Sequence, residues 1–167
     1  MEKFNRFLNA LMIYILMAII TGAYYVQFAR HETPCPLCLL QRLGMIGAAT
    51  GAFLNLRFGI RPFFYGLSML AALGGAFVSV RQILLHICPG SNPFGTPVFD
   101  LSLYTWALLA FISTFLGIAI LLMFYQPTFK AARMNLFEKV AAAYLILITF
   151  LNIITTIMVC GFGVCVG

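Results

Sequence analysis

Charged residues are scarce in this chain: they make up 8% of its 167 residues, and only four residues are acidic. A soluble domain typically carries about 25% charged residues, so the polar groups here are too few to cover a surface that faces water. The scarcity also excludes an intrinsically disordered chain, which needs low hydrophobicity and high charge. Hydrophobic residues, by contrast, make up 63% of the sequence. The composition therefore predicts an integral membrane protein.

A dense basic cluster is also absent, although the formal net charge is +6. The ten lysines and arginines are scattered beside apolar runs rather than gathered in one patch. This distribution argues against nucleic-acid binding and is typical of the cations that orient membrane proteins.

Five apolar runs are long enough to cross a bilayer, which takes about 20 helical residues. They cover approximately residues 8–28, 39–56, 63–87, 101–125 and 140–159. We therefore predict an all-α integral membrane protein, with a four-helix transmembrane bundle and a fifth C-terminal transmembrane helix in a single membrane domain, 1–167. The first run exceeds the core of about 7–15 residues found in signal peptides, so we expect a membrane anchor.

The cations predict the orientation of these spans. If the spans alternate in direction, seven of the ten cations fall on one side, which the positive-inside rule assigns to the cytoplasm. These seven are Lys3, Arg6, Arg57, Arg61, Lys130, Arg133 and Lys139. We expect a cytoplasmic N-terminus and a C-terminus on the outer side.

All five cysteines fall on the outer side of this predicted topology. They are Cys35, Cys38, Cys88, Cys160 and Cys165. In bacteria the compartment outside the inner membrane is where disulfides form and persist. The placement therefore predicts thiol redox chemistry.

Cys35 and Cys38 form a C-x-x-C pair just before the second span, with Pro36 between them. Proline suits the first turn of a helix, so we predict Cys35 at the N-cap and Cys38 one turn in. Unpaired N–H groups and the helix dipole would stabilise a thiolate there. Arg42 follows four residues after Cys38 on the same helix face, where its cation would favour the anion and could hold the oxygen of an electron-accepting ring.

The residues alone leave other interpretations open. The pair could be half of a zinc site completed by His31 and His86, or a static structural disulfide. Arg42 is close enough to the membrane boundary to extend into the interface instead. Two other classes of protein also remain: a carrier that moves reducing equivalents outward, and a non-enzymatic membrane subunit with structural cysteines.

Two segments resemble the disulfide bond formation protein B (DsbB) family. One is Pro-Cys-Pro-Leu-Cys-Leu-Leu-Gln-Arg at 34–42, and the other is 89–106, which ends in Leu-Tyr-Thr-Trp. The resemblance covers about residues 1–125. It implies a quinone reductase of the bacterial inner membrane that oxidises a periplasmic thioredoxin-fold dithiol protein (DsbA-like) and reduces ubiquinone or menaquinone.

The resemblance also implies roles for individual residues. Cys35 and Cys38 match the pair that reacts with quinone, Cys38 being the member that faces the ring, and Arg42 matches the arginine beside it. The end of the third span lines the family's quinone site. By that analogy Arg81, Gln82 and Leu85 are further candidates for cofactor binding.

The chain departs from the family pattern in two ways. The second outer loop usually carries two cysteines that exchange with the partner protein, and here it has only Cys88; a fifth span then follows. We hypothesise that Cys160 and Cys165 replace the missing pair as a partner-facing relay. A continuous helix would hold them about 7.5 Å apart in rise and about 140° apart in rotation, but Gly161 can end the helix. Alternatively, Cys88 alone receives the mixed disulfide, or the partner reacts directly with Cys35–Cys38.

Other residues receive structural interpretations. Tyr24 and Trp106, near the predicted outer interface, are typical of the aromatic belts of membrane proteins. Gly74 and Gly75 predict close contact between helices within the bundle.

Overall fold

The computed structural model describes residues 2–29, 35–86, 97–125 and 133–161. These residues form five α-helices, and each is long and apolar enough to cross a membrane. The helices are α1 (Glu2–Ala29), α2 (Pro36–Phe58), α3 (Pro62–Leu85), α4 (Leu103–Met123) and α5 (Leu136–Cys160). The predicted all-helical membrane fold is confirmed.

Several helix ends differ from the ends of the apolar runs. Helix α1 begins at Glu2 rather than near residue 8, α2 begins at Pro36 rather than near 39, and α3 ends at Leu85 rather than near 87. Hydropathy marks the part of a helix that lies in hydrocarbon, whereas the helix itself extends into the polar interface until a cap ends it.

Helix α2 is the centre of the bundle and contacts α1, α3 and α5, whereas α4 packs mainly against α3. The closest approach is between α2 and α3. A Cβ built on Gly44 would lie 2.9 Å from the Cα of Gly75, and one built on Gly75 would overlap the ring of Phe111 on α4. Gly75 therefore lets three helices meet, as predicted, while a Cβ on Gly74 would meet nothing within 4 Å.

Helices α1 and α5 run parallel and are joined by four hydrogen-bonded contacts. The contacts pair Arg6 with Glu138, Tyr14 with the carbonyl of Phe137, Thr21 with Tyr144, and Tyr24 with Asn152. From Tyr14 to Tyr24 in α1 the partners in α5 advance from Phe137 to Asn152, and Arg6 near the start of α1 meets Glu138 near the start of α5, so both helices begin at the same end of the bundle. This matches the parallel direction expected for the first and fifth of five alternating spans.

One of these contacts is a buried ion pair. Arg6 donates from Nε and Nη2 to the two carboxylate oxygens of Glu138, at 2.8 and 2.6 Å. Glu138 also closes a capping box with Asn135 at the start of α5. Arg6, which the sequence suggested was an orienting cation at the membrane surface, is instead only 7% exposed, because a carboxylate on another helix neutralises it.

A fully buried polar cluster joins α1, α2 and α3 near the same end of the bundle. Asn9 donates to the hydroxyl of Tyr65 at 2.7 Å and accepts from Asn55 at 3.3 Å, and Asn55 accepts from the backbone N–H of Arg61 at 2.9 Å. These side-chain hydrogen bonds replace contacts with water that the bundle interior excludes. The outward faces carry large apolar side chains such as Phe63 and Phe77, about three-quarters exposed, as expected of surfaces that face lipid.

Candidate functional site: the cysteine pair and its arginine

Cys35 occupies the N-cap of α2 and Pro36 the first helical position, as predicted. The Cys35 Sγ accepts a hydrogen bond from the backbone N–H of Cys38 at 3.2 Å. Both residues are free thiols, and their sulfur atoms lie 2.7 Å apart. Since a disulfide has an S–S distance of about 2.05 Å, the pair can be oxidised with a small movement of the side chains.

Gln82 on α3 completes the surroundings of the sulfurs. Its side chain is 1% exposed, and its Nε2 lies 3.4 Å from the Sγ of Cys35 and 3.6 Å from that of Cys38. Gln41 on α2 donates to the Oε1 of Gln82 at 2.9 Å. Because that contact occupies the carbonyl oxygen of Gln82, its amide N–H groups are directed at the sulfurs. Among the predicted cofactor-binding residues of α3, Gln82 is the one that contacts the pair.

The pair is electrostatically asymmetric. The hydrogen bond from the Cys35 thiol to the Cys38 sulfur raises the pKa of Cys35 well above its ordinary value, and burial raises it further. Ionising Cys35 would break this bond and place a second negative charge beside Cys38. When the reduced pair has lost one of its two thiol protons, the proton that is left therefore lies on Cys35.

Arg42 is buried one turn after Cys38, at 7% exposure. Its Nη2 donates to the side-chain oxygen of Gln27 at 2.8 Å, and its guanidinium carbon lies 4.2 Å from the ring centroid of Tyr24. Its Nη1 is buried without a hydrogen-bond partner among the described residues. A buried donor without a partner is costly, so this atom marks a place where an acceptor oxygen would be stabilised.

The other predicted site residues are placed differently. Arg81 is exposed and Leu85 is 57% exposed, whereas Gln82 between them is buried. Cys160 is the last residue of α5 and is disulfide-bonded. The helix ends there because Gly161 adopts a φ of 61°, as expected. Cys88 and Cys165 lie outside the described residues.

Residues 5–96 match the family model for the disulfide bond formation protein DsbB. The chain belongs to the DsbB family. The matched segment includes the cysteine pair, Arg42, Gln82 and the residues around them, while α4 and α5 follow it.

Curated relatives agree with the family match. The chain is 36% identical over 104 residues to disulfide bond formation protein B of Burkholderia ambifaria, covering 58% of this chain and 60% of that protein. It is 32% identical over 147 residues to disulfide bond formation protein B 1 of Pseudomonas syringae pv. syringae, covering 68% and 86%. The match thus spans less than two thirds of the Burkholderia protein's length. No solved structure matches the chain significantly.

Three residues of this DsbB family site were missed by sequence reasoning. Tyr24 was interpreted as an interfacial belt residue, but it is 7% exposed and lies under Arg42. Gln27 follows it by three positions on α1, and Gln41 appears in the sequence analysis only as a letter of the 34–42 motif. The available signal was their polarity inside apolar helices, which marks candidate functional positions.

Proposed function

We propose that this protein is a membrane thiol oxidoreductase that reoxidises a periplasmic thioredoxin-fold dithiol protein of the DsbA-like type and passes the electrons to a membrane quinone, ubiquinone or menaquinone. The observation that carries the proposal is the contact between two free thiols, at a helix N-terminus, beside a buried arginine whose Nη1 has no hydrogen-bond partner in the described part of the chain. Family membership supports the same chemistry.

The proposed thiol exchange conserves atoms and electrons. A thiolate of the partner attacks an enzyme disulfide, the partner's second thiol closes the partner disulfide, and the enzyme gains two electrons and two protons as two thiols. Where that disulfide is not Cys35–Cys38 itself, its two thiols then reduce the Cys35–Cys38 disulfide by the same exchange and become a disulfide again. At the last stage Cys35 and Cys38 give two protons and two electrons to the acceptor as their disulfide forms again. The 2.7 Å contact between their sulfurs supports this closure.

The residues present fit a quinone as the electron acceptor. A bound quinone would supply the oxidising power that the thiols need, since a quinone takes up two electrons and two protons. Arg42 would hold a carbonyl oxygen through Nη1, to which neither Gln27 nor Tyr24 nor any other described residue is hydrogen-bonded. Gln82 would stabilise a thiolate of the pair by donating from Nε2. Arg81 and Leu85 stay candidates by family analogy.

The step that meets the partner protein is assigned to Cys160 and Cys165. Two observations support this relay: Cys160 is already in a disulfide, and α5 ends at that residue. Cys88 is the alternative exchange site. In the proposed topology the N-terminus is cytoplasmic, and the cysteines face the periplasm across the bacterial inner membrane.

The deciding experiment follows quinone absorbance with purified protein, ubiquinone-1 and either of two electron donors. With a reduced DsbA-like protein or with dithiothreitol, we expect quinone reduction by the wild-type protein and none by Cys38→Ser. The double variant Cys160→Ser/Cys165→Ser should lose oxidation of the protein donor and keep oxidation of dithiothreitol, which is small enough to reach Cys35–Cys38.

Each part of the proposal can fail separately. Quinone reduction that survives Cys38→Ser would contradict the assignment of the reactive pair. Unchanged oxidation of the protein donor by the Cys160/Cys165 double variant would contradict the relay. It would not contradict the assignment of Cys35 and Cys38 as the reactive pair.

A further inference from the structure

Helix α5 reaches the surroundings of Arg42 through one side chain, Asn152. Asn152 lies in the middle of an apolar helix, yet it is only 6% exposed. The threonines near it, Thr149 and Thr156, hydrogen-bond to carbonyls of their own helix. Asn152 instead accepts a hydrogen bond from another helix, which indicates a role beyond satisfying its own backbone.

The donor to Asn152 is the residue that supports the arginine. The hydroxyl of Tyr24 donates to the Oδ1 of Asn152 at 3.3 Å, and the ring of the same tyrosine lies under the Arg42 guanidinium at 4.2 Å. Two helices therefore contact Tyr24: α5 through its hydroxyl, and α2 through Arg42 on the face of its ring. Its position therefore depends on Asn152.

We propose that Asn152 is a positioning residue for the electron-acceptor site and acts on Arg42 through Tyr24. This inference rests on the proposed function, in which the Nη1 of Arg42 holds the acceptor's carbonyl oxygen. It makes α5 a component of that site as well as a carrier of Cys160.

The physical reason is the fixed geometry that a buried cation requires. Gln27 holds one edge of the guanidinium through Nη2, and the Tyr24 ring holds one face. Neither of these contacts is a hydrogen bond from Nη1, which has no partner among the described residues. Without Asn152 the buried tyrosine hydroxyl would lose its partner and the ring would move to find another, so the face contact that orients Nη1 would be lost.

A second tyrosine provides a matched control. Tyr144 on α5 also bridges to α1, since its hydroxyl lies 2.6 Å from that of Thr21. Tyr24→Phe and Tyr144→Phe each remove one hydroxyl and one hydrogen bond between the same two helices. They differ in that the Tyr24 ring contacts Arg42.

The test measures ubiquinone-1 binding as well as turnover. Binding is followed by the rise in Tm of the purified, quinone-free protein with ubiquinone-1 concentration, and turnover by KM for ubiquinone-1 and for dithiothreitol. We expect Asn152→Leu and Tyr24→Phe each to weaken quinone binding and raise its KM about three- to tenfold, as loss of one buried hydrogen bond implies. KM for dithiothreitol should not change.

The variants should also be coupled. Because both act through one hydrogen bond, Tyr24→Phe combined with Asn152→Leu should weaken quinone binding no more than either change alone, and Tyr144→Phe should bind quinone like the wild type. Equal weakening by Tyr144→Phe, or wild-type quinone binding in both Tyr24→Phe and Asn152→Leu, would overturn the positioning role. No turnover by the wild-type protein would instead overturn the proposed function.

Discussion

At the residue scale, Gln82 is the side chain that links two helices to the reactive sulfurs. Its amide oxygen is occupied by Gln41, and its amide nitrogen faces Cys35 and Cys38. A neutral amide can stabilise a thiolate without placing a permanent charge inside the bundle. This suits a site whose charge changes during each reaction cycle.

Replacing Gln82 by leucine should slow quinone reduction about tenfold or more, since hydrogen bonds to charged groups contribute about 1.5–3 kcal/mol. The rate constant is measured with saturating dithiothreitol and ubiquinone-1. The nearby Leu84→Ala is the control, because Leu84 on α3 is 60% exposed and has no contact with the cysteine pair among the described residues. Similar rates in the two variants would contradict the contribution of Gln82.

The pH dependence of alkylation tests the asymmetry of the pair. In the reduced protein the raised pKa of Cys35 keeps its thiol protonated, so iodoacetamide should label Cys35 slowly from about pH 7 to about pH 10, a range that brackets the usual thiol value of about 8.5. In Cys38→Ala the hydrogen bond that raises this pKa is gone. Labelling of Cys35 should then increase at a lower pH than in the wild-type protein, because only burial then still raises its pKa.

Mass spectrometry of the labelled peptide measures both rates. The direction follows from the sign of the shift: a thiol with a raised pKa needs a higher pH to become the reactive thiolate. Faster labelling of Cys35 in the wild-type protein than in Cys38→Ala would show that the proton is not held on Cys35.

Sequence reasoning predicted the residues whose roles follow from local rules. Cys35 as an N-cap depends on the following proline and the start of an apolar run, and both are visible within a few residues. Tyr24 and Asn152 are 128 residues apart, so no local pattern relates them. Gln82 was reached through family resemblance, whereas its contact with Gln41 depends on the packing of α2 against α3.

At the scale of elements, the junction of α2, α3 and α4 depends on the absence of a side chain at Gly75. The ring of Phe111 fills the space where a Cβ would be, and Gly44 packs against both Gly75 and the same ring. Gln82 follows Gly75 by two helical turns on the same face of α3. The close approach of α3 to α2 at Gly75 thus helps to bring Gln82 to the cysteine pair.

Gly75→Ala should destabilise the bundle by about 1–3 kcal/mol, because the added methyl overlaps the Phe111 ring. Gly74→Ala is the matched control, since its Cβ would meet nothing within 4 Å. Helix propensity favours alanine equally at both positions, so the difference in Tm between the two variants in detergent isolates the packing effect. A lower Tm for Gly74→Ala than for Gly75→Ala would contradict this account.

The number and order of helices could be predicted because the hydrocarbon thickness sets a minimum length for an apolar helix. The choice of neighbours could not, since most apolar faces are compatible with several partners. Small residues indicated close contact around residue 75, but they did not distinguish Gly74 from Gly75. That distinction depends on the rotation of α3 within the bundle.

At the scale of the whole molecule, the ion pair between Arg6 and Glu138 connects α1 to α5. Its two side chains are 8% and 3% exposed. A buried pair adds little net stability compared with apolar residues, but removing one partner leaves an uncompensated charge. The pair therefore acts chiefly to specify which helices are neighbours.

Glu138→Gln should lower the free energy of unfolding by about 3–5 kcal/mol, because glutamine can retain the helix cap while Arg6 loses its counter-charge. Combining it with Arg6→Met should restore most of the loss. Unfolding of the purified protein by denaturing detergent gives these free energies, with Lys139→Met as the control at an exposed neighbouring cation. A double variant as unstable as Glu138→Gln alone would exclude charge pairing as the cause.

The contacts between α1 and α5 can form only after the last helix has been synthesised. Arg6 and Glu138 are separated by 132 residues, and a ribosome adds about 5–20 residues per second. Arg6 is therefore made roughly 7–26 seconds before its partner. During that interval the nascent bundle holds the cysteine pair while Tyr24 still lacks Asn152. Synthesis of α5 thus coincides with completion of the arginine's surroundings, so a chain released before its last helix would carry the cysteine pair without all the residues of the proposed acceptor site.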